Sequence, residues 1–424
     1  MAYHFGMPPE SLLRPIFTLA VTSICCSAVS AQQPKDVLQL LLQGNDKFGA
    51  QLLAQAHSET PDKNIVLAPL SLTFLLGAIQ TRTEREESRE EFDQVFGWGT
   101  YPVLRIPARM MLAAMEEPRI EHESPNNMLL GKSGSLGMVE TESLWMTNRL
   151  LYRSPKTGPP PLDSRFKEIA SRDFGLKLVN TGNMNPSESA LRASRQQVGR
   201  VPEVSSRDDV WLSAGFHMRQ SWENLFNGSQ PAPGEFRVES GQTRKVLNIE
   251  SELSKLPHMK TSEFEAVAIP CGRVQMVAVL PTSGVKIEEL EKWLVAHTDA
   301  LNGMNTSQLG SVTIPQFEIK TSVRLEKSLQ AMGITDIFQH LDGIMPAGQS
   351  RIGDIAQNID FGVDKHGIHA DAETMIGAVY FGIPFAQDTF LVSLDRPFLF
   401  FVRDVTTNAL VLTGALMDPD DSAR

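Results

Sequence analysis

The sequence is poor in several features that would define a function quickly. It has three cysteines in 424 residues, two of them adjacent at Cys25 and Cys26. A disulfide scaffold is therefore excluded, and a chain of this size can fold on its apolar core without one. Cys271 follows the apolar run before Pro270 and reads as a buried or turn-side thiol rather than a nucleophile. No basic patch offsets the excess of 50 acidic over 39 basic residues, which excludes a protein that lives on nucleic acid. The densest charge run, Glu84 to Glu91, reads as a solvated helix face. No run of 18 apolar residues predicts a membrane span. Internal repeats and long Pro/Gly/Ser linkers are also missing.

The usual catalytic patterns fail. Gly131-Lys132-Ser133 resembles the end of a phosphate-binding loop, but Asn126 stands where its first glycine belongs. There is no G-x-S-x-G elbow and no zinc-type Cys/His spacing. His366 and His369 lack nearby carboxylate support for a metal. The expectation is a protein that is not an enzyme and needs no cofactor or metal.

With 42% hydrophobic and 21% charged residues, the composition is that of a globular chain. Arg14, the apolar stretch Ile16 to Val29 and the small residues of Val29-Ser30-Ala31 predict a secretory signal peptide over residues 1–31. The fold then occupies 32–424, exported to an extracellular or periplasmic space. Asp36 is placed to cap a helix running through Phe48 to Ala56, and Leu72 to Ile79 predicts a helix apolar all round, hence buried. Strands are expected at Leu144–Tyr152, Asp209–Met218, Val267–Ile269, Val274–Leu280, Val312–Ile314, Leu399–Val402 and Leu410–Thr413. A helix is expected around Arg165–Arg172. Helices crowd the first half and strands the second, so the expected class is α+β, one mixed domain on large, mainly antiparallel sheets.

Several blocks then resemble those of one known family. Asn64-Ile65-Val66-Leu67-Ala68-Pro69-Leu70-Ser71 is one. Phe216 through Trp222 to Phe226 is another, as is Met276 to Pro281. Val312 to Phe317, followed by Leu325, Leu329 and Gly333 to Phe338, resembles a fourth. Asp395 to Asp404 and Gly414 to Pro419 resemble the closing strands. Their order and spacing hold over roughly residues 36–420, and the family they resemble is the serpins. The resemblance implies a monomeric inhibitor of an extracytoplasmic serine protease that works as a suicide substrate. An exposed loop is cut, the acyl-enzyme is trapped, and the loop inserts as a strand into the main sheet. The alternative within the family is a non-inhibitory carrier, storage or chaperone-like protein that a protease merely clips.

The resemblance places this loop between Gly367 and about Leu394, after a hinge Val363-Asp364-Lys365-His366-Gly367. Strand alternation then gives a separate test. Ile368, Ala370, Ala372, Thr374, Ile376, Ala378 and Tyr380 share one face and can be buried, while His369, Asp371 and Glu373 suit solvent. Residues Ile368 to Phe381 would reach about 46 Å at ~3.3 Å per residue. Burial of the apolar set is worth on the order of 8–12 kcal/mol, with backbone entropy and ladder hydrogen bonds nearly cancelling. The scissile bond is assigned to Phe381-Gly382, and the aromatic residue there points to a chymotrypsin-like target. Counting back from Pro397-Phe398 instead lands near Ala386.

Four positions match the region that controls sheet opening in the family: Ala68, Ser71, Ala214 and Gln357. Only Ser71 keeps the family residue. Ala68 stands for a serine, Ala214 for an asparagine and Gln357 for a histidine, which together predict a more apolar gate. Lys365 replaces a glutamate at the hinge. The motifs Asn227-Gly228-Ser229 and Asn305-Thr306-Ser307 would accept N-glycans in a eukaryotic secretory route.

Overall fold

A computed structural model describes residues 34–99, 104–116, 143–152, 162–181, 210–222, 225–226, 229–304, 306–345, 351–370 and 389–420. The first half contributes helices α1 (Pro34–Ser58), α2 (Pro69–Gln80), α3 (Glu86–Phe96), α4 (Arg105–Glu116) and α5 (Ser164–Phe174), with short strands β1 (Ile65–Leu67), β2 (Ser143–Met146), β3 (Arg149–Tyr152) and β4 (Lys177–Asn180) between them. The second half runs β5 (Val210–Ser221), β6 (Ala232–Arg237), β7 (Thr243–Glu250), β8 (Ser254–Lys260), β9 (Phe264–Cys271), β10 (Val274–Pro281), α6 (Ile287–Ala296), β11 (Ser307–Pro315), β12 (Phe317–Arg324) and α7 (Glu326–Ala331). It closes with β13 (Ile352–Val363), β14 (Gly367–Ala370), β15 (Phe390–Ser393), β16 (Phe398–Asp404) and β17 (Leu410–Leu416).

Local chemistry sets these boundaries. Pro69 begins α2, where its missing N–H costs nothing, and every residue of the helix is buried, as its unbroken apolar run requires. The Asp163 carboxylate accepts from Phe166 N at 2.8 Å to cap α5, and Gly175 ends that helix in the left-handed region. Helix α1 begins at Pro34, two residues ahead of Asp36, so Asp36 lies in its first turn and is not its cap. The expected strand Leu144–Tyr152 is broken at Thr147-Asn148. Thr147 N there donates to Gly215 O at 2.9 Å, and Asn148 turns its amide towards α2.

Two sheets carry the fold. The seven-stranded sheet has the order β12-β13-β14-β5-β3-β4, with β2 also paired to β5. The ten-stranded sheet has the order β1-β17-β16-β10-β9-β8-β11-β7-β6, with β15 attached to β11. Pairing is mostly antiparallel; β3–β4, β5–β13 and β11–β15 are parallel. One apolar cluster, including Phe74, Phe361, Phe398 and Phe400, joins α2 to both sheets. Cys271 is fully buried in it. Among the described residues no helix is long and apolar enough to cross a membrane.

Candidate functional site: a hinge and gate in the seven-stranded sheet

The site begins at the turn from β13 to β14. Asp364 closes it, its Oδ1 accepting from His366 N at 2.6 Å and Gly367 N at 3.1 Å, while its own N–H donates to Gly367 O. Trp222 fixes the turn from outside: its indole donates to Asp364 O at 2.6 Å and its backbone N–H to His366 O at 3.1 Å.

Strand β14 then enters the sheet. Gly367, Ile368, His369 and Ala370 pair with Ser221, Gln220, Arg219 and Met218 of β5, while Ile368 and His369 pair with Val363 and Gly362 of β13. Gly367 to Ala370, expected as the first residues of the loop, are therefore a strand. Gly367 is required, since a methyl there would run into the Gln220 carbonyl. The Ile368 side chain is fully buried, whereas His369 is partly exposed and its ring lies over Gly362. At these two residues the alternation follows the inward and outward sets read from the sequence.

Below β14 the gap is closed. From Asn358↔Gly215 down to Ile352↔Val210, β13 and β5 pair directly, with an irregularity between Ile352 and Asp354. At this junction the four expected gate positions converge. Gln357 and Ala214 are register partners. The fully buried Gln357 amide clasps the residue before α2: its Oε1 accepts from Ala68 N at 2.9 Å and its Nε2 donates to Ala68 O at 3.0 Å. Ser71 Oγ reaches Gly215 O at 3.5 Å. The gate is thus not the more apolar one expected, because Gln357 binds backbone that any residue at position 68 supplies.

Two participants escape a residue-by-residue comparison. Asn148 Nδ2 donates to Ser71 O at 3.1 Å, supplying from the β2–β3 break the amide that Ala214 cannot. Thr321 Oγ1 accepts from Val66 N at 2.9 Å, tying β12 to the strand before α2. The Asn148 signal was the strand break itself, which a continuous apolar pattern hides. Thr321 gave no local signal. The N-terminal end of α2 thus bridges β13 on one side to β5 and the β2–β3 break on the other. Ala372, Thr374, Ile376, Ala378, Tyr380, Phe381 and Gly382 lie outside the described residues, as do residues 1–31 and the glycan acceptors Asn227 and Asn305.

Strand β14 is thus held between β13 and β5, above a seam that the two close directly and that Gln357 clasps to the start of α2. The serpin family model, described as serine protease inhibitor, matches residues 43–419. The chain belongs to the serpin family. Serpin A3-6 of Bos taurus is 22% identical over 397 residues, covering 90% of this chain and 89% of that one. Among solved structures, human glycosylated kallistatin superposes with a TM-score of 0.71 at 18% identity, over 90% of this serpin and 99% of the other chain. Thyroxine-binding globulin in complex with thyroxine gives 0.72 at 15% identity, over 89% and 99%. At such identities the structural likeness speaks for the fold alone.

Proposed function

We propose that this serpin is an exported, monomeric inhibitor of a chymotrypsin-like serine protease, not itself a catalyst, which traps the acyl-enzyme by inserting its cut loop into the seven-stranded sheet. The observation that carries this is β14, already seated between β13 and β5 with Ile368 buried. Each further residue that followed it would move one position back along both neighbours. Ala372 would come level with Phe216 and Ile359, Thr374 with Ala214 and Gln357, and Ile376 with Leu212 and Ile355, all buried positions. The two registers agree with each other, since Gln357 and Ala214, and Ile355 and Leu212, already pair.

The same register limits how far insertion runs. Ala378 would come level with Val210, the first described residue of β5, and the next residue with Ile352, where β13 begins after the non-strand Arg351. Tyr380 therefore adds no burial between strands. Ile376, with Ala372, Thr374 and Ala378, then supplies on the order of 4–6 kcal/mol, less than the sequence alone suggested. The cut is assigned to Phe381-Gly382, just beyond that limit.

Incubation with chymotrypsin-like and trypsin-like proteases tests the proposal. A denaturant-resistant covalent complex is expected with the former, and mass spectrometry of the released peptide is expected to place the cut at Phe381-Gly382. Clean cleavage without complex favours the non-inhibitory alternative. A cut outside Tyr380 to Ala386 refutes the bond assignment.

A further inference from the structure

Strand β15, which resumes the chain after the loop, pairs among the described residues with β11, in four register pairs from Gly310↔Phe390 to Thr313↔Ser393. Two side-chain features make this short attachment specific. The largely buried Phe390 covers Gly310, where a methyl would enter its ring. Its ring is also stacked on that of His258 in β8, with centroids 4.2 Å apart and planes 3° from parallel.

Both nitrogens of His258 are engaged. Nδ1 lies 2.7 Å from Gln308 Oε1 and Nε2 lies 2.9 Å from Glu265 Oε1. The Glu265 carboxylate accepts from the Nε2–H, and the Gln308 amide, which can donate or accept, partners Nδ1, so the ring is held at both edges. Glu265 also pairs with Lys260 at 2.9 Å. Burial acts to raise the Glu265 carboxyl, but hydrogen bonds from Lys260 and His258 outweigh it and hold the group below its ordinary range. A ring fixed at both edges in this way presents a preset flat face to the phenyl group.

We propose that the His258 ring is a latch on the strand after the loop: held by Glu265 and Gln308, it fastens Phe390 over Gly310 and keeps β15 on β11. The latch itself is independent of any inhibitory activity. Its consequence rests on the insertion reading above. Advancing β14 through Ala378 moves the chain about 26 Å down the sheet and leaves eleven residues, at most about 36 Å, to return to Phe390. Release of β15 removes that constraint, so the latch sets how long the uncut molecule resists converting to an inserted form.

Hydrogen exchange on the intact protein reads the latch directly. Phe390→Leu and His258→Leu are each expected to speed exchange of the β15 amides about tenfold, and the double variant little more than either, since both remove one contact. Glu265→Gln, which keeps the packing and replaces the carboxylate acceptor of the ring N–H by a neutral amide, is expected to give a severalfold increase. Unchanged exchange in the variants, or single effects that simply multiply in the double variant, overturns the latch. Incubating the same uncut variants at 37 °C and assaying for a heat-resistant form tests the consequence. Faster exchange without faster conversion leaves the latch standing and counts against insertion.

Discussion

The Gln357 clasp gives the sharpest handle on sheet opening. Replacing Gln357 with leucine keeps approximate volume but removes both hydrogen bonds to Ala68. Each is worth about 1 kcal/mol net, and the buried Ala68 N–H left without an acceptor costs about 1–3 kcal/mol more. The Ala68 carbonyl is partly compensated, since Leu72 N already lies 3.4 Å away. The total is about 3–4 kcal/mol. Parting β13 from β5 must break either this clasp or the links from Ser71 and Asn148 on the other side of α2. If the clasp yields, Gln357→Leu speeds opening by about 10²–10³-fold, at 1.4 kcal/mol per factor of ten. The rate of unfolding in urea and the rate of uncut conversion at 37 °C measure it. An unchanged unfolding rate, with a large increase in Asn148→Ala instead, would show that α2 travels with β13 and refute the assignment of the barrier to Gln357.

Ile368→Asp places a charge in a fully buried position, at a cost of several kcal/mol. It is expected to drive β14 from the sheet while leaving the protein folded, so that protease assays show cleavage without covalent complex. Gly367→Ala should do the same by steric conflict with the Gln220 carbonyl, and hydrogen exchange at Ile368 and His369 would report it. At the α1–α6 contact, Glu291 Oε1 meets His57 Nδ1 at 2.7 Å, and burial pushes the Glu291 carboxyl above its ordinary range. The folded state then binds that proton more tightly than the unfolded chain. Its contribution is complete below the ordinary carboxylate value and is lost as pH rises through the raised one. Urea titrations across that range should show this loss in the native protein and not in Glu291→Gln.

The large elements were legible because burial writes itself into periodicity. The apolar run from Leu72 to Ile79 could only be a buried helix, and β10, β16 and β17 read as continuous apolar strands. The gate was legible only by position. Ala68, Ala214 and Gln357 looked like losses when each was compared singly, yet Gln357 and Asn148 rebuild the polar contacts from other atoms. That exchange depends on backbone groups brought together by pairing 289 residues apart, as in Ala68 to Gln357, and no local pattern records it. The hinge was legible as Val363 to Gly367, where β13 turns into β14, but the sequence did not record that Gly367 to Ala370 already occupy the space of one strand between β13 and β5. The His258–Phe390 stack is equally non-local, since neither residue is unusual until β8 and β15 converge.

The most direct test is the melting temperature of the protein before and after a single cut in the loop at Phe381-Gly382. For a chain of this size about 0.8 kcal/mol corresponds to one degree, so 4–6 kcal/mol of side-chain burial on insertion raises the midpoint by at least about 5 °C. An equal or lower midpoint in the cut protein would mean that β14 does not lengthen, and that the sheet stays closed below Asn358 and Gly215.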